Sequence, residues 1–465
     1  MKRIFTNQTP QHIGEQVTLA GWVAIRRDHG KLVFFDIRDK EGVVQVVCSP
    51  KNEAALRIAE HVRPEWVLEI QGMCQKRPEG MANETSQGSV EVVAETITIL
   101  AEAATPPFPL DTDGYEIDEE KRLHHRYLDL RRERMRRNLK KRSDVVQFMR
   151  QFLFDRGFLE IETPLLTKST PEGARDFVVP SRLYPGKFYA LPQSPQQYKQ
   201  LLQVAGVEQY FQIARALRDE DPRADRQAEH TQLDIEMSFV EREDVLSLME
   251  SLYTELVSKL FEEKKVQATP FPRMTYKEAM EKYGNDRPDL RKDKADPNEL
   301  AFCFVLDFPA FEWSEEKKRW DAMHNPFSKP QVESAEELKK DPGSALSLQY
   351  DLVLNGQEIA GGSIRASDAT LLQATFEVMG YSVAEIQKQF GHMLDAFSYG
   401  VPPHGGMAGG IDRIMAILLG EPNIREVIAF PKTGDSRDPM MDSPSEISKD
   451  QLKELSIALE KPKKK

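Results

Sequence analysis

The strongest constraint on the fold lies in the first hundred residues. Five short runs rich in β-branched and aromatic residues occur there: VTLAGWVAIRR, LVFFDIRD, VVQVVCS, WVLEIQGMCQKR and SVEVVAETITIL. Turn-forming stretches (DHGK, DKEG and RPEGMANETSQG) separate them, and one helical segment, Asn52 to His61, interrupts them. Short runs bounded by Gly, Pro, Asn and Asp read as strands. Five strands with a helix midway predict an OB-fold barrel, a small closed sheet that commonly binds nucleic acid. Side chains alternate across a strand, so Phe34 and Phe35 cannot share a face. One of the two is expected outside, able to stack on a base, and the other in the core.

Residues 101–120, AEAATPPFPLDTDGYEIDEE, are rich in proline and acid and lack periodicity, as a linker does. A long basic amphipathic helix is expected from Glu119 to Arg156, ending at Gly157 as a C-cap. From 158 onward strands and helices alternate irregularly. FLEIETPLLT, FYALPQ, YFQIARALRDE and HTQLDIEMSFV read as strands of one mainly antiparallel sheet, joined later by CFVLDFPAF, YDLVLNGQEIAGGSIR and MAGGIDRIMAILLG. The fold class is α+β. The expected divisions are a barrel over 1–103, a linker over 104–120, a large domain over 121–433 and an extension over 434–465. The extension reads as loosely held, and its KPKKK end as disordered.

The net charge of −12 argues against a general nucleic-acid coat protein. Local charge differs: residues 121–142 hold eleven Lys or Arg against Asp129 and Glu133. Such a stripe can attract phosphates over the short screening length of physiological salt, or form a solvated helix face. Cys48, Cys74 and Cys303 are far apart and odd in number, which suits buried thiols better than a disulfide framework or a zinc site. No apolar run approaches a membrane span, and the N-terminus lacks a signal-peptide stretch, so a cytoplasmic location is expected.

Three clusters carry chemistry. In 215–236, RALRDEDPRADRQAEHTQLDIE, arginines and acids alternate between two strands, and a loop this polar is best ordered by a ligand. Arg218 suits a phosphate; mutual salt bridges on an exposed hairpin are the plainer reading. In YDLVLNGQEIAGGSIR, Asp351 and Glu358 sit in an apolar strand frame, as a pair that could hold Mg²⁺ on a nucleotide. In GGMAGGIDRIMAILLG, glycines permit close approach to a flat ligand and lead into Arg413, which can stack on or charge-match a nucleotide.

Together these clusters resemble the signature motifs of the class II aminoacyl-tRNA synthetases. GFLEIETPLL, with Pro164, resembles the first motif; Arg218-Asp219-Glu220 the second; Gly410-Ile411-Asp412-Arg413 the third. TPEGARDFVVPSR, LPQSPQQYKQLL, NGQEIAGGSIR, YGVPPHGG and VIAFPKT resemble the aspartyl branch, in its bacterial form. The resemblance covers nearly the whole chain. It implies activation of L-aspartate by ATP with Mg²⁺, transfer to tRNA(Asp), and a homodimer through the first motif. Glu172, Gln196, Lys199, Arg218, His324 and Arg365 would then bind aspartate, with Lys199 and Arg365 on its side-chain carboxylate. Arg218, Asp219, Glu220, Gln227, Glu358 and Gly410 to Arg413 would bind ATP. Asp351 and Glu358 would hold the metal, and Arg218, Glu220 and Arg413 would be catalytic. For His324 and Gln227 a packing role is the plainer alternative.

On the barrel, Arg27, Phe34 and Gln45 would read the anticodon, with Asp28 and Arg38 as nearby candidates. His29 and Gly80 stand in two loops that resemble those of members charging both tRNA(Asp) and tRNA(Asn). The second product would supply an amidotransferase. Three features depart from the pattern. The stretch 285–300 leaves no room for the usual bacterial insertion domain. Asn325 replaces a second histidine, and Ile25 an arginine. The alternatives are a strictly tRNA(Asp)-specific enzyme, a lysyl or asparaginyl relative, a tRNA-independent ligase, and a non-catalytic RNA-binding protein. The last would be expected to have lost Arg218, Glu358 or Arg413.

Overall fold

The alternation in the first hundred residues closes on itself. In the computed structural model, which describes residues 2–78, 86–170, 173–221 and 223–460, β1 (Gln16–His29), β2 (Leu32–Arg38), β3 (Val43–Cys48), β4 (Val67–Lys76) and β5 (Val90–Ala101) form a closed barrel in the order β1-β2-β3-β5-β4. Only the β3–β5 pairing is parallel. Val17, Leu19, Val33, Phe35, Ile37 and Val46 point inward at every second position. Helix α1 (Glu53–His61) lies between β3 and β4, and the Asn52 side chain caps it by accepting from the Ala55 N–H at 3.1 Å. The barrel belongs to a unit spanning Met1–Ile117 and Arg131–Glu133. The proline-rich stretch packs within this unit: Arg132 donates to the carbonyls of Thr112 and Pro109 at 2.7 and 2.8 Å. Gly80 lies outside the described residues.

The second unit comprises Asp118–Leu130 and Arg134–Lys465. It opens with a correction. The single helix expected over 119–156 is three: α2 (Glu119–His124), α3 (Arg126–Asp129) and α4 (Glu133–Phe154). The backbone leaves the helical region at His125, and residues 131–133 side with the barrel unit. The break lets Arg126 donate to the carbonyls of Arg425, Ile428 and Ala429 and to Asp129. Arg122 and Arg134 are also buried, on Glu426 and Glu421. Arg122, Arg126, Arg132 and Arg134, four of the eleven basic residues of the stripe, are therefore internal and do not face phosphate. Helix α4 does end near Gly157, which has the positive φ of a C-cap.

The core of this unit is an eight-stranded sheet in the order β9-β10-β11-β12-β13-β8-β7-β6. In chain order these are β6 (Leu159–Glu160), β7 (Gln209–Leu217), β8 (Glu229–Ser238), β9 (Arg273–Thr275), β10 (Phe302–Leu306), β11 (Gln349–Leu354), β12 (Gln357–Ile364) and β13 (His404–Gly410). The two edge pairings, β9–β10 and β6–β7, are parallel and the rest antiparallel. One face is apolar and carries α4, α6 (Arg242–Leu260) and α9 (Ile411–Leu419). Helix α5 (Gln196–Val204) lies toward the other, polar face. Beyond it, α7 (Ala369–Val378) and α8 (Val383–Phe397) form a separate apolar cluster in which Phe376 and Phe390 stack at 4.0 Å.

Two strand expectations need correction. FYALPQ supplies only Phe188–Ala190, which pairs with Val178–Pro180 in a separate hairpin. FLEIETPLLT supplies only the two residues of β6 and an isolated bridge from Thr167 to Ala190, with Pro164, which cannot donate to a ladder, between them. Cys48, Cys74 and Cys303 are buried free thiols, and burial pushes Cys48 and Cys303 up to about 12. Among the described residues no helix is long and apolar enough to cross a membrane. The KPKKK end lies outside the described residues, while Asp438 in the extension is buried beside Lys432.

Candidate active site and nucleic-acid face

Strand β8 is apolar on one face and polar on the other. Leu233, Ile235 and Met237 enter the core; Gln232, Asp234, Glu236 and Ser238 line the opposite side, all buried. Buried carboxylates on a central strand require partners. Small residues across β13 make room for them: Gly406 pairs with Glu236, and a Cβ there would stand 2.3 Å from its Oε2.

The partners are the two cations that the resemblance assigned to the aspartate side chain. Lys199 on α5 lies 2.7 Å from Asp234 and 3.1 Å from Glu236. Arg365, just past β12, grips Glu236 with two bonds at 2.9 and 3.0 Å and donates to Ser363 at 2.7 Å. Both cations are almost fully buried. Burial works against ionising Glu236, but Arg365 and Lys199 outweigh it and hold the carboxyl down to about 2. Asp234 is raised by burial against the pull of Lys199. An arginine has five N–H donors and a lysine three. The bonds above leave two on Arg365 and one on Lys199 for another carboxylate. Gln196 stands on the same face of α5 and bonds Gln200 at 2.9 Å.

A second carboxylate group lies farther along the sheet. A Cβ on Gly361 would stand 3.0 Å from Asp351 and 3.6 Å from Glu358, so the missing side chain leaves a gap between two acids. Burial and the neighbouring Asp351 raise Glu358, while Arg413 and His324 oppose. Two carboxylates around such a gap suit Mg²⁺, which takes one or two protein carboxylates and completes its shell with phosphate and water. Among the described residues no group of three ligands forms a dedicated cage. His324 is placed here, with Nε2 3.2 Å from Asp351, not beside Lys199 and Arg365. Burial works against its charging, but Asp351 and Glu358 raise its pKa above the ordinary value. Asn325 supports the same segment by accepting from the Phe327 N–H at 3.1 Å.

The loop after β7 brings the phosphate-type residues in. Arg218 donates through Nε to the Gln193 carbonyl at 3.3 Å, and its two terminal nitrogens have no hydrogen-bond partner among the described residues. Arg413 on α9 bonds the Glu358 carbonyl and, at 3.2 Å, Asp225. His230 lies between: burial, with Arg218 and Arg413, pushes it down to about 3, so it adds no charge. Glu220 faces Arg226 at 3.8 Å, and Asp219 pairs its backbone with Arg175.

Three residues assigned to ATP contribute differently. Ile411 is buried in the core, so only its main chain remains for a ligand. The Asp412 carboxylate is taken by the Thr231 N–H at 3.0 Å and by Arg142 at 2.6 Å. The Gln227 amide clamps both polar groups of the Lys432 backbone, at 2.8 and 3.2 Å. These anchor the site's walls. Glu172 lies outside the described residues. Asp234, Glu236, Gln193 and Asp225 went unnoticed in the sequence; the polar period of two in QLDIEMS was the available signal for the first pair.

In the barrel unit, the outer face of β1–β3 carries a polar chain. Arg27 makes two bonds to Asp36, at 3.0 and 2.7 Å, and reaches Gln45 at 3.5 Å; Gln45 donates to Glu91 at 3.0 Å. Phe34 is half-buried on this face with the His29 ring edge-on at 5.6 Å, while Phe35 is wholly internal. Arg38 is not available there: it is buried on Glu65 at 2.7 Å. Asp28 is paired with Arg26, and Ile25 is partly exposed.

Comparison with known proteins matches this arrangement. A family model described as tRNA synthetases class II (D, K and N) matches residues 118–434, and one for an OB-fold nucleic acid binding domain matches 17–100. An aspartate–tRNA(Asp/Asn) ligase of Rubrobacter xylanophilus is 43% identical, over 96% of this chain and 95% of its own length. One from Dehalococcoides mccartyi is 41% identical, over 97% and 98%. The first alignment spans 572 positions against the 465 residues here, so this relative carries over a hundred that this chain lacks. Among solved structures, the asparaginyl-tRNA synthetase of Pyrococcus horikoshii complexed with asparaginyl-adenylate shares the fold at TM-score 0.74, with 23% identity over 93% of this chain and 98% of that one. A putative aspartyl-tRNA synthetase of Leishmania major does so at 0.72, with 21% identity over 92% and 94%. A polar sheet face with paired cations and paired acids, and a family match covering most of the chain, lead to one conclusion: this chain belongs to the class II tRNA synthetases of the D, K and N group, with an OB-fold nucleic-acid-binding domain at its N-terminus.

Proposed function

We propose that this chain is an aspartate–tRNA ligase that charges both tRNA(Asp) and tRNA(Asn). The observation that carries the amino-acid assignment is the convergence of Lys199 and Arg365, with three N–H donors left over, on one buried point of the sheet. A lysine substrate would be repelled there, and an asparagine would forgo the charge-assisted bonds an acid makes.

In this reading the amino acid lies with its side-chain carboxylate on Lys199 and Arg365 and its α-carboxylate toward ATP. Arg218 and Arg413 hold the phosphates, and His230, kept neutral by burial, adds no charge to theirs. Mg²⁺ held by Asp351 and Glu358 would neutralise phosphate charge. The α-carboxylate attacks the α-phosphorus, pyrophosphate leaves, and the terminal ribose hydroxyl of tRNA then takes the aspartyl group and releases AMP. No side chain acts as nucleophile; the residues position reactants and stabilise charge.

Phe34 would stack on an anticodon base and Gln45 read an edge, as OB-folds do with unpaired RNA. His29, whose ring packs edge-on against Phe34, would influence which anticodon is accepted. A homodimer is supported by exposed apolar residues of the first motif, Leu159, Leu165 and Leu166. The enzyme would work in the cytoplasm, and its aspartyl-tRNA(Asn) would go to an amidotransferase. Side-by-side charging of tRNA(Asp) and tRNA(Asn) transcripts tests the specificity. Aspartylation of both is expected; product on tRNA(Asp) alone would limit the enzyme to one tRNA.

A further inference from the structure

The polar groups behind Gln196 fix which end of its amide meets the substrate. His404, at the start of β13, is fully buried. Its Nδ1 lies 2.8 Å from the Pro402 carbonyl oxygen, an atom that can only accept, so Nδ1 carries a proton. Burial holds the imidazole below its ordinary pKa. Glu236 on β8 favours a second proton, and Arg365 and Lys199 oppose it. The ring is neutral, and its Nε2 is a bare acceptor.

The Gln200 atom 3.0 Å from Nε2 is therefore its NH₂ group. Gln200 Oε1 is left to face Gln196, and the Gln196 atom 2.9 Å away is in turn its NH₂. The assignment follows from one carbonyl oxygen and holds however each amide is drawn. Gln196 Oε1 is left without a partner among the described residues, one helical turn from Lys199. We propose that His404 and Gln200 are positioning residues that lock Gln196 with its carbonyl oxygen toward the bound amino acid, presenting an acceptor to the substrate ammonium. This rests on the aspartate-activating reading above. A reversed Gln196 would aim N–H groups at a cation.

The test is aspartate-dependent ATP–pyrophosphate exchange, with succinate as an inhibitor that has both carboxylates but no ammonium. His404→Phe and Gln200→Leu should each raise the KM for aspartate about tenfold, with kcat, the KM for ATP and succinate inhibition within about twofold. The double variant should be no worse than either single one, as for links of one chain. Gln200→Glu keeps an acceptor for Gln196 while His404 takes up a proton, and should keep the KM for aspartate within about threefold. The proposal is overturned if Gln200→Glu is as damaging as Gln200→Leu, or if succinate weakens in step with aspartate. Should His404→Phe fail to fold, the two Gln200 variants decide alone. Wild-type enzyme with no aspartate-dependent exchange would instead sink the functional reading.

Discussion

Replacing Lys199 with methionine separates the two tasks of the buried cation. The side chain keeps its length and loses its charge. Among the described residues Asp234 then loses its only ion pair, at 2.7 Å, and Glu236 loses one of two, keeping the bidentate grip of Arg365. Removing one partner of a buried pair costs about 3–5 kcal/mol. Burial has already raised the Asp234 pKa, so that carboxyl can take a proton and the loss should fall near the lower end, about 3 kcal/mol. Adding Asp234→Asn should recover most of it. Substrate binding loses one charge-assisted donor, about 1.5–3 kcal/mol, or roughly a 10- to 150-fold rise in the KM for aspartate. The KM for ATP should not move. Denaturant unfolding and pyrophosphate exchange read the two effects separately. An aspartate KM within about threefold of wild type, in a variant that is folded but less stable, would refute the role of Lys199 in recognising the acid.

Other consequences follow from the same geometry. Glu426 is held down to about 2 because Arg122 and Arg134 outweigh its burial, against an ordinary 4.5. Its stabilisation is fully present above the unfolded value and lost as pH falls from there toward 2, about 3 kcal/mol in all; Glu426→Gln should flatten the acid limb of stability against pH. Gly406→Ala would set a Cβ 2.3 Å from Glu236 and 2.0 Å from the Ile235 carbonyl, so it should destabilise by about 1–3 kcal/mol and weaken aspartate binding. Phe35→Ala should cost about 3–5 kcal/mol of barrel stability, whereas Phe34→Ala should leave the melting point nearly unchanged and raise the KM for tRNA.

The barrel was legible because its signal is local. Period-two alternation sets Phe34 and Phe35 on opposite faces, with Phe35 the inner one in the structure, and Asn52 marks the start of α1. The expected helix over 119–156 failed for the opposite reason. The acids that draw Arg122 and Arg134 inward, Glu421 and Glu426, lie about 300 positions away in the chain, so a solvated basic stripe and a buried network look alike locally. Lys199 and Arg365 could be paired only through the resemblance, since the strand joining them, with Asp234 and Glu236, reads as ordinary until its polar face is seen to be buried. The assignment of Gln227 and Asp412 to ATP comes from the resemblance alone. Their bonds to the Lys432 backbone and to Thr231, invisible in the sequence, show that these side chains also hold the scaffold.

The selectivity assigned to the paired cations is tested most directly by amino-acid-dependent ATP–pyrophosphate exchange with the wild-type enzyme, comparing L-aspartate, L-asparagine and L-lysine. Robust exchange with aspartate and none above background with the other two is the expected result. Exchange with asparagine at the level of aspartate would contradict it, because a neutral amide cannot take up the donors that Lys199 and Arg365 hold in reserve as a carboxylate does.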